Sequence, residues 1–211
     1  MSEFLNPYAY IDQHGLNLPH WQQGEAFVFV TWRMADSLPE NVLRAWSSER
    51  RIWFEKHPLP WDASTRAEYR ERFTQRIERW LDQGSGSCAL SDPTFRLIVE
   101  GALSHFEGER HAVRSYVIMP NHVHILFQPL SGCLLEDILH TWKSYSSQQI
   151  MKTTKHTGEF WSAGYWDRLI RDRTHFERCV RYIRNNPAKA KLNPSQFSLY
   201  ENEALTCESE R

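Results

Sequence analysis

Residues 111–127 constrain this chain more than any other stretch. His111–Met119 and His122–Phe127 each read as a strand, rich in β-branched and aromatic residues and parted only by the turn pair Pro120-Asn121. A hairpin of this kind alternates its side chains between two faces, so His122 and His124 project to one side while Val123 projects to the other. Their Cβ atoms stand ~6.5–7 Å apart along a strand, which lets two imidazole nitrogens converge on one cation. Taken alone, the pair fits equally well two histidines on a wet sheet face.

The flanking signals place the hairpin in a larger pattern. Ala26–Trp32 (AFVFVTW) reads as a buried strand. Pro39–His57 follows with helical spacing of Val42, Leu43, Trp46 and Trp53, ended by Pro58–Pro60. Ser64 is placed to cap a second helix to about Asp82, with Tyr69, Phe73, Ile77 and Trp80 on one stripe. Pro93 opens a helix to about Phe106. After the hairpin, Leu134–Lys152 is a long amphipathic helix with Leu135, Ile138, Leu139, Trp142 and Tyr145 inward. Tyr165–Arg171 is a short strand, and Thr174 caps a last helix stopped at Asn186 by Pro187. The core order β-α-β-β-α-β-α predicts a ferredoxin-like α+β sandwich, an antiparallel sheet with helices on one face. The helices of about 39–83 are then an insertion after the first strand.

Net charge, −1 over 211 residues, argues against a nucleic-acid partner until it is resolved along the chain. Between Thr141 and Pro194, 11 Lys/Arg face 4 Asp/Glu, a surplus of +7; the remainder carries −8, including an acidic tail at about 199–211. That asymmetry is the footprint of a phosphate-binding face. The four cysteines lie at least 28 positions apart with no CxxC pair, which excludes zinc-knuckle and redox motifs and predicts reduced, mostly buried thiols. No apolar run approaches a membrane span and the N-terminus lacks a signal pattern, so a cytoplasmic protein without a membrane partner is expected.

The last helix carries the second candidate cluster, Arg181-Tyr182-Ile183-Arg184-Asn185-Asn186-Pro187. Tyr182 and Asn186 are four apart and share one helix face. Lys143, Arg181, Arg184, Lys189 and Lys191 are candidate phosphate contacts, and Trp142 is a candidate stacking platform for an unpaired base.

VIMPNHVHILF together with DRLIRD…HFERCVRYIRNNPAKAKL resembles the single-tyrosine HUH transposases, and within them the REP-associated tyrosine transposases. The likeness spans Gly24–Leu192. It implies one transposase domain over residues 1–211, metal ligation by His122 and His124 with Asn186 completing the site, and Tyr182 as nucleophile. It also implies Mg²⁺ or Mn²⁺, a hairpin-forming single-stranded DNA partner, a 5′-phosphotyrosine intermediate, and a monomer in preference to a homodimer. Arg168 follows Asp167 where relatives often carry His, a departure within the motif. Two rivals stand beside this reading. A histidine-triad hydrolase needs a third His where Leu126 stands. A domesticated, non-catalytic hairpin-binding protein keeps the fold and loses the cutting.

Overall fold

The computed structural model describes residues 3–14, 20–58, 61–130, 132–154 and 158–202. In chain order the elements are β1 (Asp12–His14), β2 (His20–Gln22), β3 (Val28–Arg33), α1 (Glu40–Lys56), α2 (Ala63–Tyr69), a π-helical turn (Arg70–Thr74) and α3 (Gln75–Asp82). They continue with α4 (Pro93–Ser104), β4 (His111–Ile118), β5 (His122–Pro129), α5 (Leu135–Thr153), β6 (Trp166–Leu169), α6 (Arg173–Lys189) and β7 (Ser198–Glu201).

Five strands form one sheet in the order β6-β3-β5-β4-β7, every neighbouring pair antiparallel. The run β3-α4-β4-β5-α5-β6 in this spatial order is the ferredoxin-like α+β sandwich that the pattern predicts. Val28, Val30 and Trp32 of β3, with Val123, Ile125 and Phe127 of β5, pack under Val99 and Leu103 of α4 and Leu139 and Trp142 of α5. The expectation of helices on one face holds for α4 and α5. α6 lies on the other face, where Phe176, Val180 and Ile183 cover Phe29, Val117 and Leu126. The reason is in β5, which is buried at all eight positions and needs an apolar cover on both sides.

The stretch between β3 and α4 forms its own cluster, with Leu38, Trp46, Trp53, Phe73, Ile77 and Leu81 buried together. It reaches the sheet edge through Trp46, edge-on to Trp166 of β6 at 6.4 Å. The π-helical turn breaks the single helix expected from Ser64 to Asp82. It inserts one extra residue per turn, and the buried stripe becomes Phe73, Ile77 and Leu81.

Several boundaries differ from those the sequence suggests. Asp62, not Ser64, caps α2 by accepting from Thr65 N at 2.7 Å. Asp172, not Thr174, caps α6 by accepting from His175 N at 2.7 Å. Pro187 does not stop α6, because two residues before the helix end it removes only one i→i−4 bond. The turn closes beyond it, with Ala190 N on Asn186 O at 3.0 Å and Leu192 N on Pro187 O at 2.9 Å. Tyr145 is exposed; Ser146 takes the inward position, its hydroxyl accepting from Trp161 Nε1 at 3.0 Å. The expected acidic tail begins instead as the edge strand β7, registered on β4 from Ser115↔Glu201 to Ile118↔Ser198. Cys179 is buried, whereas Cys88 and Cys133 are half-buried and free; Cys207 and the tail beyond residue 202 lie outside the described residues. Among the described residues no helix is long and apolar enough to cross a membrane.

Candidate active site

The register of β3 on β5 sets His124 opposite Thr31 and His122 opposite Arg33, on the face that α6 covers. Alternation along β5 then brings the two imidazoles together, with His122 Nε2 and His124 Nε2 3.1 Å apart. Each ring is oriented from behind. Asn121 Nδ2 donates to Leu81 O and Ser85 O, so Asn121 Oδ1 is the acceptor that meets His122 Nδ1 at 2.7 Å. That bond fixes the proton on Nδ1 and leaves Nε2 of His122 a bare lone pair. Thr31 Oγ1 lies 2.7 Å from His124 Nδ1 and holds the second ring in the same way.

α6 brings Tyr182 and Asn186 to the same place. Tyr182 Oη stands 3.5 Å from His124 Nε2, its ring edge-on to the imidazole with centroids 5.1 Å apart. Phe29 fixes both, stacked on His124 at 5.7 Å and edge-on to Tyr182 at 5.8 Å. Asn186, one turn on, is 1% exposed, and neither its amide oxygen nor its nitrogen has a hydrogen-bond partner. A buried, unsatisfied amide costs about 1–3 kcal/mol, which makes Asn186 a candidate ligand-binding group.

This donor set fits a divalent cation. Burial, ahead of the charge of Lys189, pushes His122 down to about 3, and burial lowers His124 as well, so both rings are neutral and able to ligate at pH 7. Among the described residues no three His, Cys, Asp or Glu side chains gather to hold a metal. The Asn186 amide is the candidate third ligand. Burial, ahead of the nearby Glu78 and Asp82 carboxylates, holds the Tyr182 phenol well above its ordinary range, so it stays protonated until it attacks.

The structure separates the remaining candidates. Trp142 is not a stacking platform: it is 2% exposed and packs on Trp32, His111 and Phe127 in the core under α5. Lys143 is not a free phosphate contact either, since its Nζ caps a loop through Ser162 O at 2.8 Å and Ala163 O at 2.9 Å. Arg184 makes a two-pronged pair with Glu201 of β7 at 2.8 and 2.6 Å, and Lys189 pairs with Asp82 of α3 at 2.7 Å. Arg181 and Lys191 are exposed, with Lys191 in the left-handed conformation that ends the helix.

Three groups at the site escape sequence reading, and a fourth, Arg168, enters it only as a departure within the motif. Arg178 lines, with Arg181, Tyr182, Asn185, Asn186 and Lys189, a shallow cavity of about 280 Å³ along one face of α6. Its i, i+3, i+7, i+11 spacing with Arg181, Asn185 and Lys189 is the signal that could have found it. Arg168 lies opposite Phe29 in the register and sets its guanidinium 5.3 Å from that ring. Asn121 and Thr31 are visible as polar residues beside or within otherwise apolar strands, but only the register shows which histidine each serves.

Residues 96–186 match the family model described as "Transposase IS200 like". Over that segment the chain is similar to the IS200-like transposases. The matched segment runs from α4 to Asn186 and so takes in both histidines and Tyr182, while α1–α3 precede it. A solved structure of a REP-associated tyrosine transposase bound to a REP hairpin is 14% identical to this chain, with a TM-score of 0.44, over 90% of this chain and 74% of that one. No curated protein matches the chain.

Two further histidines make the fold acid-sensitive. Burial, ahead of Arg168 and Arg171, pushes His175 down to about 4, and its Nδ1 accepts from Arg171 N at 3.3 Å. Burial also lowers His111, whose Nε2 meets Leu103 O at 2.8 Å. Both folded-state values lie below the unfolded one of about 6.5, so the unfolded chain takes up protons first as the pH falls. Stabilisation from both is complete above pH ~6.5 and is lost on acidification; for His175 the loss runs down to pH ~4 and steepens the fall by about 1.4 kcal/mol per pH unit. Urea unfolding at a series of pH values measures the slope, and His175→Gln is expected to flatten it by one such increment; an unchanged slope contradicts the assignment.

Proposed function

We propose that this chain is an IS200-like transposase that cuts and rejoins single-stranded DNA beside a hairpin, with Tyr182 as the attacking group. The observation that carries the reading is the Tyr182 hydroxyl 3.5 Å from the Nε2 of a histidine whose own Nε2 partner is 3.1 Å away. His122, His124 and the Asn186 amide would hold one divalent cation, Mg²⁺ or Mn²⁺, which supplies positive charge to the non-bridging oxygens of a phosphate. Tyr182 Oη forms a bond to phosphorus as the bond to the 3′ oxygen breaks. The phenol proton leaves with attack, and the 3′ oxygen takes up a proton to become a free 3′-OH. The tyrosine then carries the 5′ phosphate, and attack by another 3′-OH reverses the step without ATP. Membership of the REP-associated branch, a REP-type hairpin as partner and a monomeric state belong to the same proposal.

A strand rather than a duplex is the expected substrate, because Tyr182 lies against the sheet under α6 and a rigid helix holds its phosphates away from so recessed a hydroxyl. With end-labelled DNA and Mn²⁺, a hairpin with single-stranded flanks is expected to be cut at one position in a flank while blunt duplex stays intact. Efficient cutting of the duplex would overturn the reading. Arg184 and Lys189 are engaged within the protein, which leaves Arg178 and Arg181 as exposed cations beside Tyr182, with Lys191 exposed past the end of α6. With one phosphate each, log K should fall with log salt at a slope of roughly −2 for a single strand.

A further inference from the structure

His122, His124 and Asn186 are each 1% exposed, yet on the reading above they serve a strand of DNA. The last turn of α3 is fastened to that region at two points. Asn121, which orients His122, donates to Leu81 O at 3.2 Å and to Ser85 O at 3.0 Å. Asp82, its side chain 12% exposed, pairs through Oδ2 with Lys189 of α6 at 2.7 Å. Glu78 lies one turn earlier on the same face, and burial raises its carboxyl above the ordinary range against the charges of Arg168 and Lys189. Glu78 and Asp82 are also the two acidic groups felt by the Tyr182 phenol. Two carboxylates beside the tyrosine repel an approaching phosphate, and one of them holds a cation of the tyrosine helix.

We infer that α3 is a lid over the tyrosine site and that Asp82, on Lys189, occupies the place of an incoming DNA phosphate. The inference rests on the proposed function and adds a role for the inserted helices. They are built to move. Their aromatic cluster is separate from both sheet cores and reaches the sheet edge through Trp46 and Trp166. The π-helical turn at Arg70–Thr74 is a local weak point at one end of α3, and Gly84, at φ +69°, bends the chain at the other. Beyond it the chain is pinned: Ser87 N donates to Asp36 Oδ2 at 2.8 Å, and a Cβ on Gly86 would stand 2.5 Å from Asp36 O. A phosphate arriving at Lys189 displaces Asp82, the lid loosens, and the site opens to the strand that triggered it.

Asp82→Asn keeps the shape, removes the repulsion and weakens the hold on Lys189. If closure leaves about one molecule in ten competent, the variant should bind a fluorescent hairpin with single-stranded flanks about five- to tenfold more tightly. In the free protein, amide exchange over 75–82 should accelerate. Glu40→Gln removes the same charge from a carboxylate of α1 that is 79% exposed and pairs only at 3.6 Å with Arg44, and should stay within about twofold of wild type. Unchanged or weaker binding by Asp82→Asn, or an equal gain from Glu40→Gln, overturns the lid. If the wild-type protein binds no hairpin, the functional reading fails instead, and the amide-exchange comparison alone decides whether Asp82 holds α3 closed.

Discussion

Tyr182→Phe is expected to abolish strand cutting and the covalent protein–DNA product, a loss of at least about three orders of magnitude, because Tyr182 is the hydroxyl at His124 Nε2 whereas that of Thr31 is engaged on Nδ1. The substitution removes one oxygen and keeps the ring between Phe29 and His124, at 5.8 and 5.1 Å. Stability should change by less than about 1.5 kcal/mol, since the ring is kept and the phenol hydroxyl stands at the long distance of 3.5 Å from His124 Nε2. Hairpin binding should survive, because the exposed cations of α6 are untouched. Denaturing gels with end-labelled hairpin and Mn²⁺ read the adduct directly, and gel shift reads binding. An adduct at wild-type yield would remove Tyr182 from the mechanism.

Substitutions at the donor set should split stability from function. His122→Ala and His124→Ala each leave one imidazole and one amide, and Mn²⁺ affinity by calorimetry should drop at least about 100-fold, with cutting lost. Asn186→Ala should act differently on the two properties. Its amide is buried with both polar atoms unpartnered, so without metal the variant should be more stable than wild type by about 1–3 kcal/mol. With excess Mn²⁺ the order should narrow or reverse, because the wild-type protein gains the free energy of binding. Thermal unfolding in EDTA and in Mn²⁺ makes the comparison. A metal-free Asn186→Ala protein less stable than wild type would mean that the amide is satisfied in solution and is not held for a ligand.

The sandwich itself was legible because local pattern and tertiary role coincide there: alternation in β4 and β5, a 3.6 period in α5, and Pro120-Asn121 at the turn. His122, His124, Tyr182 and Asn186 could be singled out for the same reason, since period-two and i, i+4 spacing are properties of the chain alone. Errors arose where a second element decides the outcome. Trp142 sits in a basic segment and looks like a base platform, but α5 turns it into the core against Trp32 and Phe127. Arg184 and Lys189 count as free charge in sequence, yet β7 and α3 bring Glu201 and Asp82 to them. β7 was hidden in an acidic tail because its pairing on β4 comes from 80 or so positions away, beyond any local signal. Pro187 predicts a stop only if the lost bond falls mid-helix, and here it falls in the last turn.

The central claim is that Tyr182 becomes linked to a DNA 5′ phosphate beside a cation held by His122 and His124. Peptide mapping by mass spectrometry, after reaction with a hairpin bearing single-stranded flanks, tests it most directly. The account predicts a nucleotide phosphate on Tyr182, formed with Mn²⁺ and absent with chelator, alongside a free 3′-OH on the released strand. Cutting without any covalent product, or an adduct on a different residue, would contradict it.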